Sequence, residues 1–210
     1  MATNDERLQD LGEIRSIMER STRFISLSGL SGIFAGIYAL AGITFAYIFL
    51  GYGDLAYEEG IITLPDISSS TFMLYLLIDA LTVLILSLGT SLFFSKRKAR
   101  RKGIPFWDNT AKRLLINMFI PLLTGGILCL ILFLERDIFL VISLTLVFYG
   151  LALFNAGKYT LDEVRYLGIG EIVCGILAAG FPAIGIIFWA AGFGFFHIIY
   201  GVFMYYKYDR

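Results

Sequence analysis

Long apolar runs broken by short polar segments set the pattern of this chain. They cover about 24–50, 71–94, 114–134 and 138–156, and a final block reaches from about 164 to 206. A helix crossing the hydrocarbon core of a bilayer needs about 20 apolar residues, so each of the first four runs predicts one span. The final block is roughly twice that length and breaks at "AGFPAIG", where Pro182 stands between Gly180 and Gly185. Proline there predicts a tight turn and two helices, over about 164–181 and 184–206. "TLDE" at 160–163 reads as a capping box for the fifth helix, with Thr160 as N-cap and Glu163 reaching back. The expected fold is therefore all-α, a polytopic six-transmembrane-helix bundle over 24–206.

The polar segments carry their own pattern. In "ERLQDLGEIRSIMERSTRF" the residues Leu8, Leu11, Ile14 and Met18 recur at helical spacing among charges, which predicts an amphipathic N-terminal helix within 1–23. These 23 residues hold nine charges and no apolar run, unlike a cleavable signal peptide. The helix suits the membrane interface or a cytosolic protein partner, and the pattern does not choose between them.

Composition agrees with the membrane reading. Of 210 residues 58% are hydrophobic and 16% charged, against about a quarter charged in ordinary soluble domains, and the mean hydropathy is +0.77. The net charge is zero, so the information lies in its distribution. Under six spans, 16 of 17 basic residues fall on one side: four before the first span, eight between spans two and three, then Lys158, Arg165, Lys207 and Arg210. Arg136 is alone on the other side, with the acidic loop of Asp54, Glu58, Glu59 and Asp66. The positive-inside rule then predicts cytosolic N- and C-termini and an integral plasma (inner) membrane location. Trp189, near the outer end of the last span, reads as an interfacial anchor.

The connection 95–113 is expected to be a polybasic cytosolic loop. Its Lys96, Arg97, Lys98, Arg100, Arg101 and Lys102 are candidates for anionic lipid at the cytosolic face, each cation contributing roughly 1 kcal/mol near such a leaflet. The same cluster also serves as a topology signal. No aromatic-rich module accompanies it, so no nucleic acid is expected.

Charged groups inside a span are costly and lean functional. Asp79, Glu171 and His197, the one histidine, stand in apolar runs. Glu171 and His197 lie on either side of the Pro182 turn, each roughly 10–14 Å from the cytosolic end of its helix, so they share a depth. Beside them a proton or ligand site is expected, with Asn117 and Asn155 extending its polar layer. A structural hydrogen bond between two helices is the competing reading. Asp79 heads a stripe with Tyr75, Thr82 and Thr90. Cys129 and Cys174 read as packing residues, and no motif implies a metal, a cofactor or a nucleotide loop.

The first span contains "GLSGIFAG" at 29–36. This octad resembles the nucleophile segment of the rhomboid intramembrane serine proteases, and the resemblance implies Ser31 as nucleophile with His197 as its base. The octad falls on the first span here, whereas in that family the serine helix comes late, and a second histidine layer is missing. The same stretch belongs to a longer stripe of small residues. Ser28, Gly32, Gly36, Gly194 and Gly201 predict close helix packing, and that reading accounts for more of the residues than a hydrolase does. "GEIVCGILAAG" on the fifth helix echoes the first, as a packed pair or a faint internal repeat. Beyond the octad the chain resembles uncharacterised six-span integral membrane proteins of bacteria, which implies an architecture and no activity. The expected function is non-catalytic: binding, sensing or moving a small solute, proton or lipid. A structural or signalling membrane partner is the alternative, and homo-oligomers are compatible with either.

Overall fold

The structure, a computed structural model, describes residues 24, 27–49, 56–58, 61–63 and 70–210. The expected N-terminal amphipathic helix and most of the acidic loop lie outside the described residues. The helices are α1 (Gly29–Phe49), α2 (Ser70–Arg101), α3 (Asn109–Leu134), α4 (Ile138–Ala156) and α5 (Asp162–Gly180), followed by the helical rod α6 (Pro182–Asp209). Between α1 and α2, β1 (Ala56–Glu58) and β2 (Ile61–Thr63) pair antiparallel with Tyr57 opposite Ile62. Apart from this hairpin the described fold is all-helical.

Five helices, α1, α2, α3, α4 and α6, are long and apolar enough to cross a membrane. The 19 residues of α5 are set apart by Asp162, Glu163, Arg165 and Glu171. Helix α1 packs on α2 and α6, α4 packs on α3 and α5, and α6 joins the two groups through α5 and α4.

Small residues decide where these helices meet. A Cβ added at Gly36 would lie 2.6 Å from the Gly194 carbonyl oxygen, and one at Gly201 2.6 Å from that of Gly29. Gly32 faces the Gly201 Cα at 3.1 Å on the same terms. The stripe predicted from Ser28, Gly32, Gly36, Gly194 and Gly201 is thus the seam between α1 and α6. A second seam joins α4 to α5, where a Cβ at Gly150 would come 2.6 Å from the Gly168 carbonyl and one at Gly175 2.9 Å from that of Ser143. The two echoing segments therefore pack on different neighbours, α1 on α6 and α5 on α4, rather than on each other.

Helix α5 ends at Gly180, and Pro182 opens a single 3₁₀ turn, Pro182–Ile184, as the tight-turn reading expects. Pro121 lies inside α3, which continues through it. Two expectations need correction. The segment 95–113 is not all loop: α2 continues as helix through Arg101, and α3 starts at Asn109 with the Asp108 carboxylate accepting from the Ala111 N–H at 2.7 Å. The capping box does not form either. Leu161 occupies the N-cap without a side-chain bond, while the buried Thr160 hydroxyl donates to the Phe24 carbonyl at 2.5 Å. That carbonyl needs a donor away from water, and Thr160 supplies it.

Candidate functional site

Helices α4, α5 and α6 bring three polar side chains together. Glu171 of α5 is 0% exposed and His197 of α6 is 5% exposed. The His197 Nδ1 lies 3.2 Å from Glu171 Oε1 and 3.1 Å from the Gly192 carbonyl oxygen. On the other side of the ring, Nε2 lies 2.9 Å from the hydroxyl of Tyr149, on α4. Glu171 and His197 therefore touch, at the shared depth that the Pro182 turn implies.

The hydrogen bonds fix the proton on one nitrogen. Gly192 offers only an oxygen acceptor, so Nδ1 carries hydrogen and donates to it. Glu171 Oε1 lies within reach of Nδ1, yet neither Glu171 oxygen accepts a hydrogen bond among the described residues. The N–H direction belongs to Gly192, and the pair is ionic only when the ring carries a second proton.

Local backbone geometry permits this contact. Residues Ala190–Phe196 form a π-helical stretch inside α6, just before His197. Such stretches re-aim backbone partners and recur at functional sites. Gly192 sits in it, and a side chain there would collide with Glu171 Oε2. Trp189, Phe193 and His197 recur every fourth residue of α6 and their rings pack in turn, tilted in the first pair and stacked in the second. The ring centroids are 4.7 Å apart for Trp189 and Phe193 and 5.9 Å for Phe193 and His197. Tyr149 completes the stack 5.5 Å from the imidazole. The Trp189 N–H donates to Thr145 of α4 at 3.2 Å, so its polar end faces inward rather than toward headgroups.

The other predicted site residues lie apart from this cluster. Asn117 donates to the Arg113 carbonyl at 2.8 Å and the Tyr159 hydroxyl at 3.3 Å, which places it in the end layer and not around Glu171. Asn155 is half-buried on α4, its backbone carbonyl accepting from Lys158 at 3.3 Å. Asp79 is half-buried at the α1–α2 contact, where a Cβ on Gly42 would come 3.2 Å from its Oδ2. The hydroxyls of Thr82 and Thr90 donate back to their own helix, to Ile78 and Leu86 at 2.8 Å each, so they do not serve Asp79. Ser31 donates to the Ser28 carbonyl at 2.5 Å, and both His197 nitrogens already have other partners.

A second polar cluster closes the basic end. Of the six clustered cations, Lys96, Arg97, Arg100, Arg101 and Lys102 are exposed. Lys98 turns inward, 2.6 Å from Asp209 Oδ1, with both side chains under a tenth exposed (7%/9%). Lys98 also donates to the Leu27 carbonyl at 2.6 Å. The other Asp209 oxygen accepts from the Ser28 hydroxyl and the Gly29 N–H, each at 2.8 Å. A carboxylate from the far end of the sequence thus caps α1, where helix N-termini favour negative charge. Nearby, Lys207 and the Tyr208 hydroxyl donate to Glu163 Oε1 at 2.6 and 3.0 Å.

Burial alone would raise the Glu163 carboxyl, but the bonds from Lys207 and Tyr208 outweigh it and hold the group below its ordinary carboxylate value. A carboxyl depressed by folding adds stability above its unfolded value and loses it as pH falls through the folded one. Thermal unfolding followed into the acid range should show that loss, and Lys207→Met should flatten it. An unchanged acid limb in that variant would remove Glu163 from the account.

Five helices long and apolar enough to cross a membrane among the described residues support, by length and composition, a multi-pass membrane protein. No protein-family model, curated protein or solved structure matches the chain.

Proposed function

We propose that this is a non-catalytic integral membrane protein of six spans, with both termini cytosolic, that binds, senses or moves a small solute, proton or lipid at Glu171 and His197. One observation carries the reading: a fully buried carboxylate accepts no hydrogen bond among the described residues and sits 3.2 Å from the only histidine. Structural pairs are normally completed by hydrogen bonds, because an unfilled buried carboxylate is costly. Ionisable groups inside membrane helices lean functional. The sixth span is α5, whose apolar remainder lies along α4, and the distribution of the 17 basic residues supports the orientation. The exposed cations at the end of α2 suit anionic lipid headgroups at the same face.

The test measures thermal stability of the purified protein across pH and against a panel of small solutes and lipids. Wild type should respond to at least one of these, and Glu171→Gln and His197→Ala should both lose that response. If both variants merely unfold more easily and keep every response, the site assignment is wrong.

A further inference from the structure

Glu171 occupies a space that is already full. Its side chain has 0% exposure, and a carbon added at Gly192 would collide with Oε2 and come 2.7 Å from Leu146 Cδ2. A solute of several atoms does not fit against this carboxylate without displacing α6, and a proton does. Resting on the site reading above, we infer that the ligand of this site is a proton, exchanged at His197 Nε2 beside Tyr149 and neutralised by Glu171.

The two ring nitrogens have different duties. Nδ1 faces two oxygen acceptors, Gly192 at 3.1 Å and Glu171 at 3.2 Å, so it keeps its hydrogen in either state. Nε2 faces a hydroxyl at 2.9 Å, and a hydroxyl can accept or donate. With the proton bound, Nε2–H donates to Tyr149 and the imidazolium balances the Glu171 carboxylate, leaving the cluster neutral. With the proton gone, Tyr149 donates to Nε2 and the carboxylate stays behind without counter-charge. A buried charge that loses its partner is strongly unfavourable, so release is coupled to water reaching the α4–α6 contact at Tyr149. Water entering there takes the proton: the Nε2–H bond breaks, its electron pair stays on nitrogen, and the proton leaves on water.

Among the described residues the surroundings add no competing charge. Tyr149 is the ionisable group from α4, Cys174 lies beside Glu171 on α5, and Tyr200 follows His197 on α6. From α1 this turn of α6 meets Gly32 and Gly36, which do not ionise.

The chain holds one histidine, so nitrogen-isotope labelling of the imidazole in the full chain, read by NMR across pH, reports His197 alone. The expected result is two states of the ring across pH, one with hydrogen on both nitrogens and one with hydrogen on Nδ1 alone. At a pH where the wild-type ring carries both hydrogens, Glu171→Gln should leave it one proton poorer. Tyr149→Phe, which keeps the ring stack, should move the Nε2 resonance and leave Nδ1 in place; it serves if the Glu171 variant does not fold. A ring carrying hydrogen on Nε2 alone, or neutral at every pH, overturns the proposal, as does a proton count unchanged by Glu171→Gln. A stability response to a solute or lipid with an unchanging ring overturns the proton and leaves the site reading intact, whereas no response of either kind ends both.

Discussion

Replacing His197 by alanine is expected to destabilise the protein by about 3–5 kcal/mol, the cost of leaving one member of a buried ion pair without the other. Three losses combine in that single change. Glu171, 0% exposed and without a hydrogen-bond donor, loses its only charge partner among the described residues. The Gly192 carbonyl and the Tyr149 hydroxyl lose theirs as well. Glu171→Gln should cost less, because the ring keeps both of those bonds and no charge is stranded. The double variant Glu171→Gln/His197→Ala should then be more stable than His197→Ala alone, with a coupling of roughly 1–3 kcal/mol between the two sites. Unfolding of the detergent-solubilised protein measures all three. Strictly additive losses would mean that the 3.2 Å approach carries no ionic energy.

Much of this architecture was legible because membranes impose strong rules. Backbone groups in lipid must be paired within the chain, so apolar runs near the required length become helices. The Pro182 break and the glycine seam of Gly32, Gly36, Gly194 and Gly201 follow from local sterics that a single sequence displays. The pairing of Glu171 with His197 was legible from symmetry about one turn, since two helices joined by a short hairpin bring equal offsets to equal depth. Their partner Tyr149 was not. A lone tyrosine in the apolar α4 gives no sign of which way its hydroxyl points until α4 is docked on α6. Gly192 was hidden for a related reason, because the register shift of Ala190–Phe196 depends on the packing of whole helices.

The basic end shows the opposite case, a local rule overridden by distant contacts. "TLDE" satisfies the capping-box pattern, yet Thr160 is drawn to Phe24 and Glu163 to Lys207 and Tyr208. Each of those partners is remote in sequence and stronger than the local alternative: a buried carbonyl in the first instance, an ammonium in the second. Lys98 likewise leaves the basic cluster it belongs to by composition, since the helical continuation of α2 turns it toward Asp209. Charge runs announce which membrane side they occupy and say little about which member faces inward.

Gly201→Leu is expected to be the other severe change, at or above the upper end of the roughly 1–3 kcal/mol typical of overpacking. The reason is what the new atoms would meet. A Cβ at this position would press on the Ile33 N–H and come 2.6 Å from the Gly29 carbonyl oxygen and 2.8 Å from the Ile33 side chain. The first two are backbone of α1 and cannot swing aside as a side chain would, so α1 must move away from α6. Displacing α1 also draws Ser28 and Gly29 off Asp209, which exposes the Lys98–Asp209 pair at the end of the seam. Gly126→Leu is the matched control, because a Cβ there meets nothing within 4 Å and apolar surface is added on α3, a helix with a lipid-compatible face. The two variants, compared by unfolding in the same detergent, should differ by several-fold in their loss of stability. Equal losses would show that the α1–α6 seam is not set by its glycines.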